Sequence, residues 1–61
     1  MSDWIYNTVY VIEVRDSDGD WIDKDVTFNE DFANEQGKQF VDVYEEASDY
    51  RVIPVTIKYL G

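Results

Sequence analysis

Residues 4–15 constrain the fold most, because they alternate over twelve positions and are apolar on both faces of the alternation. The segment is rich in Val, Ile, Tyr and Thr, which is typical of a β-strand. One face carries Trp4, Tyr6, Thr8, Tyr10, Ile12 and Val14, and the other carries Ile5, Asn7, Val9 and Val11, followed by Glu13 and Arg15. A strand with two apolar faces belongs to a sheet that is covered on both sides.

A second strand is predicted to follow through a tight turn. The segment Asp16–Gly19 has the composition of a turn, and its glycine can adopt a positive φ. The alternation resumes over residues 20–28, which places Ile22, Val26 and Phe28 on one side together with Lys24. A strand, an acidic Asp-Gly turn and a strand together predict a β-hairpin.

The period then changes, and a helix is predicted over residues 29–48. Thr27 and Glu30 match a capping box, and Asn29 is an alternative cap. The apolar stripe at helical spacing consists of Ala33, Gly37, Phe40, Tyr44 and Ala47, flanked by Phe32 and Val43. The glycine in this stripe either lets the helix approach the sheet closely or splits the helix in two.

A last strand is predicted over residues 50–60. Ile53, Val55, Ile57 and Tyr59 share one face of it, and Pro54 indicates a strand that is at a sheet edge or bulged. The order β-β-α-β predicts an α+β fold in a single domain over residues 1–61, with a three-stranded antiparallel sheet and one helix on one face. Because one helix covers one face only, we expect a second copy of the chain to cover the other, in a two-fold dimer.

The small size of the chain and its lack of Cys and His lead to the same expectation of self-association. A domain of 61 residues buries only about 60% of its unfolded surface. The chain has no Cys for disulfides and no His, so oligomerisation is the expected support. The 16% aromatic content is too high for a disordered acidic tail.

The net charge of -9 restricts the class of partner. It arises from 14 acidic and 5 basic residues. Such a chain is repelled by nucleic acid and by anionic membranes, so we expect it to bind neither directly, and it is attracted to basic surfaces such as DNA-binding clefts. The alternative is that the acids are simply a solvated surface. No apolar run is long enough to span a bilayer, and the start, Met1–Trp4, lacks signal-peptide features, so a cytoplasmic location is expected.

Catalytic and metal-binding patterns are weak. Asp16 to Asp20 resembles the opening of a calcium loop, but the positions that require Gly and Glu hold Trp21 and Thr27. The chain has no Cys or His nucleophile and no Gly-rich phosphate loop, so neither an enzyme nor a cofactor or metal is expected.

The acids themselves are the candidate site. One group lies at the hairpin turn and along the second strand, at Asp16, Asp18, Asp20, Asp23 and Asp25. A second group, Asp42, Glu45, Glu46 and Asp49, recurs at three- and four-residue spacing and is predicted to share one helical face. Such rows can imitate the phosphates of a nucleic-acid strand, although a solvated helix face is an equally good explanation.

Aromatic residues on the predicted helix offer an apolar contact. Phe40 and Tyr44 are expected in the core, whereas Phe32 lies next to the acidic pair Glu30-Asp31. An aromatic side chain rimmed by acids suits a partner with both basic and apolar features.

The layout resembles the short, acidic, phage-encoded inhibitors of uracil-DNA glycosylase. The resemblance consists of the hairpin with its Asp18-Gly19 turn, the helix that opens with Asp31-Phe32, and the final aliphatic strand. It implies three strands and a helix, a dimer that mimics DNA, and a pocket at the dimer that takes an apolar side chain of the glycosylase. By position, Phe32 would line this pocket and Asp31 would lie at its rim. Ala33 and Gln36 depart from the family pattern, and Phe40 is the substitute for the missing aromatic wall.

The resulting hypothesis is a DNA-mimicking inhibitor that blocks the DNA groove of a basic nucleic-acid-binding protein, with bacterial uracil-DNA glycosylase as first choice. An anti-restriction or anti-CRISPR mimic, and a structural or regulatory protein-interaction module, are the alternatives. The residues expected to contact the partner are Glu30, Asp31, Phe32, Gln36, Phe40, Asp42, Glu45, Glu46 and Asp49.

Overall fold

The computed structural model describes residues 3–61, so Met1 and Ser2, which belong to the segment searched for a signal peptide, lie outside the described residues. Four elements follow in the predicted order β-β-α-β. They are β1 (Trp4–Arg15), β2 (Trp21–Thr27), α1 (Glu30–Val43) and β3 (Asp49–Leu60). The predicted α+β class is confirmed.

The three strands form one antiparallel sheet in the order β2-β1-β3. β3 is therefore an edge strand, as Pro54 indicated, because proline has no N–H to donate to a neighbouring strand. The β1–β3 ladder runs without interruption from the pair Trp4 and Leu60 to the pair Arg15 and Asp49. This ladder fixes which side chains of the two long strands share a face.

The tight turn predicted between β1 and β2 is present, with the glycine at a positive φ. The Asp16 carboxylate accepts backbone hydrogen bonds from Asp18 and Asp20, each 2.9 Å long, and Gly19 has φ 87°. A β-bulge follows, opposite the step from Ile12 to Glu13.

This bulge changes the faces of β2. Ile22 pairs with Val14, whereas Val26 pairs with Val11, so these two side chains lie on opposite faces of the sheet. The predicted alternation, which placed Ile22 and Val26 on one side, was wrong for this reason, since a bulge adds one residue to one strand and reverses the alternation beyond it.

Helix α1 begins as the sequence predicted and ends earlier. Asn29 is the N-cap, and its side chain accepts a 2.9 Å hydrogen bond from the Phe32 N–H. The helix ends at Val43 instead of residue 48. Glu45 and Glu46 are unfavourable at the negative end of a helix dipole, and the last turn has no basic residue to offset them.

Gly37 explains how the helix approaches the sheet. The helix runs through this residue unbroken, and Gly37 is buried. A Cβ at this position would lie 2.8 Å from Cγ of Tyr50 on β3, so only glycine leaves room for the aromatic ring. Of the two roles considered for this glycine, close approach is confirmed.

The core lies between α1 and the half of the sheet next to the hairpin turn. Ile12 and Ala33 are fully buried, and Val14 is nearly so. The helix covers the face of the sheet that carries Val14 and Tyr50, which pair across β1 and β3. Over residues 3–61, no helix is long and apolar enough to cross a membrane.

The other half of the sheet extends beyond β2 and α1. Because β2 pairs only with residues 10–15 of β1, residues 4–9 and 55–60 form a two-stranded ribbon, which we call the arm. The Cα trace measures 51 × 21 × 11 Å, and its radius of gyration of 14.1 Å exceeds the value of about 10.5 Å expected for a compact domain of this length. The arm is the reason for this elongation.

Candidate protein-binding surface

Acids from two segments, the hairpin turn and residues 45–49, converge at the end of the sheet opposite the arm. The β1–β3 register places Asp49 directly opposite Arg15, which precedes the hairpin turn. The Ser48 N–H donates a 2.9 Å hydrogen bond to the Arg15 carbonyl and fixes the helix-to-strand connection beside that turn. We call this surface the acidic end, and its members are Asp16, Asp18, Asp20, Glu45, Glu46 and Asp49.

A small apolar cavity opens within the acidic end. Its volume is about 80 Å³. The apolar lining consists of Val14, Ile22, Tyr44 and Ala47, and the charged lining consists of Arg15, Asp16, Lys24 and Glu46. We call it the tip cavity. It is well below the roughly 300–1,000 Å³ of a small-molecule site, so it has room only for the end of one side chain.

The charges at the tip cavity have distinct local partners. Asp16 is engaged by the turn, because its carboxylate accepts the hydrogen bonds of Asp18 and Asp20. The ammonium group of Lys24 lies 5.8 Å from the centroid of the Tyr44 ring, in a cation–π arrangement. Glu46 is exposed and can meet a basic group of a partner at the cavity mouth.

The second predicted acidic group does not share one helical face. Only Asp42 lies within α1, whereas Glu45 and Glu46 are in the turn after the helix and Asp49 is the first residue of β3. The prediction was wrong because it extended the helix to residue 48. The connection instead brings Glu45, Glu46 and Asp49 next to the hairpin turn, which the helical interpretation did not anticipate.

Phe32, Gln36, Phe40 and Tyr44 follow one another at four-residue spacing. Residues at this spacing lie one above the other on a helix surface, and we call the four the aromatic stripe. The rings of Phe40 and Tyr44 stack with their centroids 5.8 Å apart. Gln36 and Phe40 are half-buried.

The ends of the aromatic stripe are exposed. Tyr44 is 52% exposed, so its expected place in the core was wrong, because the helix ends at this residue. Phe32 is 47% exposed and is therefore not a core residue. The stripe leads from the acidic pair at the helix start to the tip cavity.

Glu30 and Asp31 lie in the first turn of α1, where carboxylates are favoured by the helix dipole. Glu30 also lines a shallow depression of about 380 Å³ between the helix start and β3, together with Asn34, Tyr50 and Pro54. Phe32 lines neither this depression nor the tip cavity. The pocket that the resemblance implies would form at a dimer, and in the single chain Phe32 is an exposed aromatic side chain.

Two carboxylates face each other on the side of the sheet away from the helix, a feature that sequence analysis missed. Glu13 pairs with Asp23 across β1 and β2, and Arg51 on β3 forms an ion pair with Glu13. A hydrogen bond between the carboxyls raises the pKa of Asp23 and, together with the Arg51 guanidinium, lowers the pKa of Glu13. Arg51 also stacks 4.2 Å from the centroid of the Trp21 ring.

Sequence analysis also missed the tip cavity, because its walls depend on where the helix ends. No group of three or more side chains that could hold a metal ion occurs within residues 3–61. No protein-family model, curated protein or solved structure matches the chain.

Proposed function

We propose that this protein is a DNA-mimicking inhibitor that occupies the DNA-binding groove of a nucleic-acid enzyme and excludes its DNA. The observation that carries the proposal is the acidic end, where two segments distant in sequence, the hairpin turn and residues 45–49, bring six carboxylates to one end of the sheet. Two of these carboxylates, Asp16 and Glu46, line the tip cavity. Like charges gathered at one place destabilise the fold, so a basic partner explains them better than stability does.

The proposed mechanism is competitive occlusion. The carboxylates of the acidic end pair with the Lys and Arg side chains that otherwise hold DNA phosphates. The aromatic stripe and the tip cavity supply the apolar anchor, since a few desolvated aromatic contacts provide most of the energy of an interface. No step requires a reaction on this chain, and we propose that it is not an enzyme.

Bacterial uracil-DNA glycosylase is the first-choice target, and the cytoplasm is the proposed place of action. The support for this target is the resemblance in layout and the exposure of Phe32 beside Asp31, which leaves the side chain free to contact a partner. A restriction or CRISPR nuclease is the alternative target of the same acidic surface.

The experiment is uracil excision from an oligonucleotide by a purified bacterial glycosylase with increasing amounts of the protein. Stoichiometric inhibition is expected. Glu45→Gln/Glu46→Gln should weaken inhibition more than the control Asp3→Asn/Glu35→Gln, which removes the same charge at exposed residues outside the acidic end and outside the expected contact residues. Undiminished excision would exclude this target, and equal effects of both variants would exclude the acidic end as the contact surface.

A structural or regulatory interaction module is the rival class, and its binding surface would be the apolar side of the sheet. Binding of a basic groove by carboxylates weakens as salt rises, whereas binding through an uncharged face does not. Measuring partner affinity at about 50 and 300 mM salt therefore separates the two classes.

A further inference from the structure

The side of the sheet away from the helix carries a continuous apolar surface. The β1–β3 register gives this side the pairs Ile5–Tyr59, Asn7–Ile57, Val9–Val55 and Val11–Ile53, and Val26 of β2 adjoins them. We call these nine side chains the open face. None of them carries a charge, and α1 packs on the opposite side of the sheet.

The open face contains only two polar side chains, Asn7 and Tyr59. These two side chains are linked, because the Asn7 amide donates a 2.6 Å hydrogen bond to the Tyr59 hydroxyl. This bond lowers the cost of burying the two groups, and the second amide N–H and the carbonyl of Asn7 and the hydroxyl proton of Tyr59 would still need partners in a cover. The boundary of the open face is the charged cluster of Glu13, Asp23 and Arg51.

The exposed area matches a small specific interface. Ile5, Val55, Ile57 and Tyr59 are each 36–43% exposed, and Val26 is 55% exposed. Asn7 is exposed, Val11 and Ile53 are half-buried, and Val9 is already buried at 7% exposure. Together the nine side chains expose on the order of 500 Å² of largely apolar surface, so a two-fold pair would bury about 1,000 Å², the lower limit for a specific assembly. The whole molecule exposes 4611 Å², compared with about 4,100 Å² for a typical folded monomer of 7.2 kDa.

The distribution of charge indicates which partner covers the open face. Residues 4–12 and 50–60 contain no acid, whereas thirteen of the fourteen acids lie in residues 13–49. Two copies with a charge of -9 each can meet only where their acids stay apart, and the open face meets this condition. A basic partner would instead select the acidic end.

We infer that a second copy of this chain packs on the open face, with the two sheets face to face about 10 Å apart and related by a two-fold axis. The arms then lie at the centre of the dimer and the two acidic ends point outward. This inference stands on the sheet register and the charge distribution, and it does not depend on the proposed function.

Sedimentation equilibrium over a range of protein concentration tests it with a matched pair of variants. Ile57→Asp places a charge on the open face, and Thr56→Asp places the same charge on the adjacent residue of β3, which points to the other side of the ribbon. We expect a concentration-dependent dimer for the unmodified chain and for Thr56→Asp, and at least a tenfold larger dissociation constant for Ile57→Asp.

A third variant shows whether loss of the dimer is caused by misfolding or by loss of the contact. Ile57→Thr keeps the β-branched shape and removes apolar area, so it should weaken the dimer while the circular dichroism spectrum is unchanged. A monomer at all concentrations would overturn the inference, and so would equal effects of Ile57→Asp and Thr56→Asp. Loss of the dimer without loss of glycosylase inhibition would separate this inference from the proposed function.

Discussion

Gly37 is the residue at which helix propensity and packing oppose each other. Replacing it with Ala gains about 1 kcal/mol of helix propensity. The new Cβ, however, meets the Tyr50 ring, which would have to shift to make room for it. Overpacking of this kind costs about 1–3 kcal/mol. Because the gain offsets part of this cost, we expect Gly37→Ala to lower the free energy of unfolding by up to about 2 kcal/mol in urea denaturation.

The control for this substitution uses the other partner of the contact. In a Tyr50→Ala background the ring is absent, so Gly37→Ala should raise the stability by about 1 kcal/mol through helix propensity alone. A destabilisation of the same size in both backgrounds would show that the Tyr50 ring is not the obstacle.

Asp23 makes the stability of the sheet depend on pH. Its folded pKa is raised from 3.8, because its carboxyl shares a hydrogen bond with Glu13. A raised folded pKa favours the protonated form, so this contribution to stability is present below the unfolded pKa and is lost as the pH rises through the folded pKa. The lowered pKa of Glu13 contributes in the opposite sense, above its unfolded pKa.

We therefore expect Asp23→Asn to raise the urea midpoint at pH 7, because an amide can donate to Glu13 without the repulsion of two carboxylates. The gain should shrink as the pH falls through the raised pKa of Asp23. Asp18→Asn is the control, since it removes the same charge from the exposed turn. An equal gain in both variants would attribute the effect to net charge instead of the carboxyl pair.

At the scale of elements, the sequence predicted all three strands and their order, because β1 and β3 alternate without interruption. It failed at two places where the local pattern did not contain the deciding interaction. The bulge in β2 is set by pairing with β1, and it moved Val26 to the open face. The end of α1 is set by the helix dipole and by the bond from Ser48 to Arg15, and it moved three acids from a helical face to the acidic end.

The same distinction applies to the candidate site. Phe32 and its acidic neighbours were identified from adjacency in the sequence, and the structure leaves this aromatic exposed. The tip cavity was not identified, because Ile22 and Tyr44 belong to different elements and meet only after the helix has ended. Predicting a contact between two elements requires knowing how they are aligned, and the local pattern of one sequence does not give this alignment.

The aromatic stripe allows a test of the helix surface in the proposed interface. Phe32→Ala and Tyr44→Ala remove side chains that are about half exposed, so both variants should fold. If the stripe contacts the target, each should weaken inhibition by about 2 kcal/mol, or roughly 30-fold, as expected for an aromatic anchor.

The matched control on the same helix is Val43→Ala. Val43 is 72% exposed, and it lies outside the aromatic stripe, so its truncation should leave inhibition unchanged. Inhibition constants from the excision assay measure all three variants. Unchanged constants for Phe32→Ala and Tyr44→Ala would remove the stripe from the interface, while unfolding of either would assign it a structural role.

At the scale of the whole molecule, the acids and the apolar open face lie in separate regions. Target binding and dimerisation should therefore depend on salt in opposite directions. Target binding joins opposite charges, so its affinity should fall as salt screens the attraction. Dimerisation joins two copies of charge -9 through an uncharged face, so its affinity should rise as the same salt screens their repulsion.

Both equilibria can be followed with the unmodified chain between about 50 and 500 mM salt, where the Debye length falls from roughly 14 to 4 Å. Sedimentation equilibrium reports the dimer, and excision kinetics report the inhibited enzyme. A dimer that weakens with salt would mean that ion pairs hold it and that the open face is not the contact. Inhibition that is indifferent to salt would mean that the carboxylates of the acidic end do not engage the enzyme, because screened charges cannot keep their affinity. Affinities that change in opposite directions with salt are expected only if dimerisation uses the open face and target binding uses the acidic end.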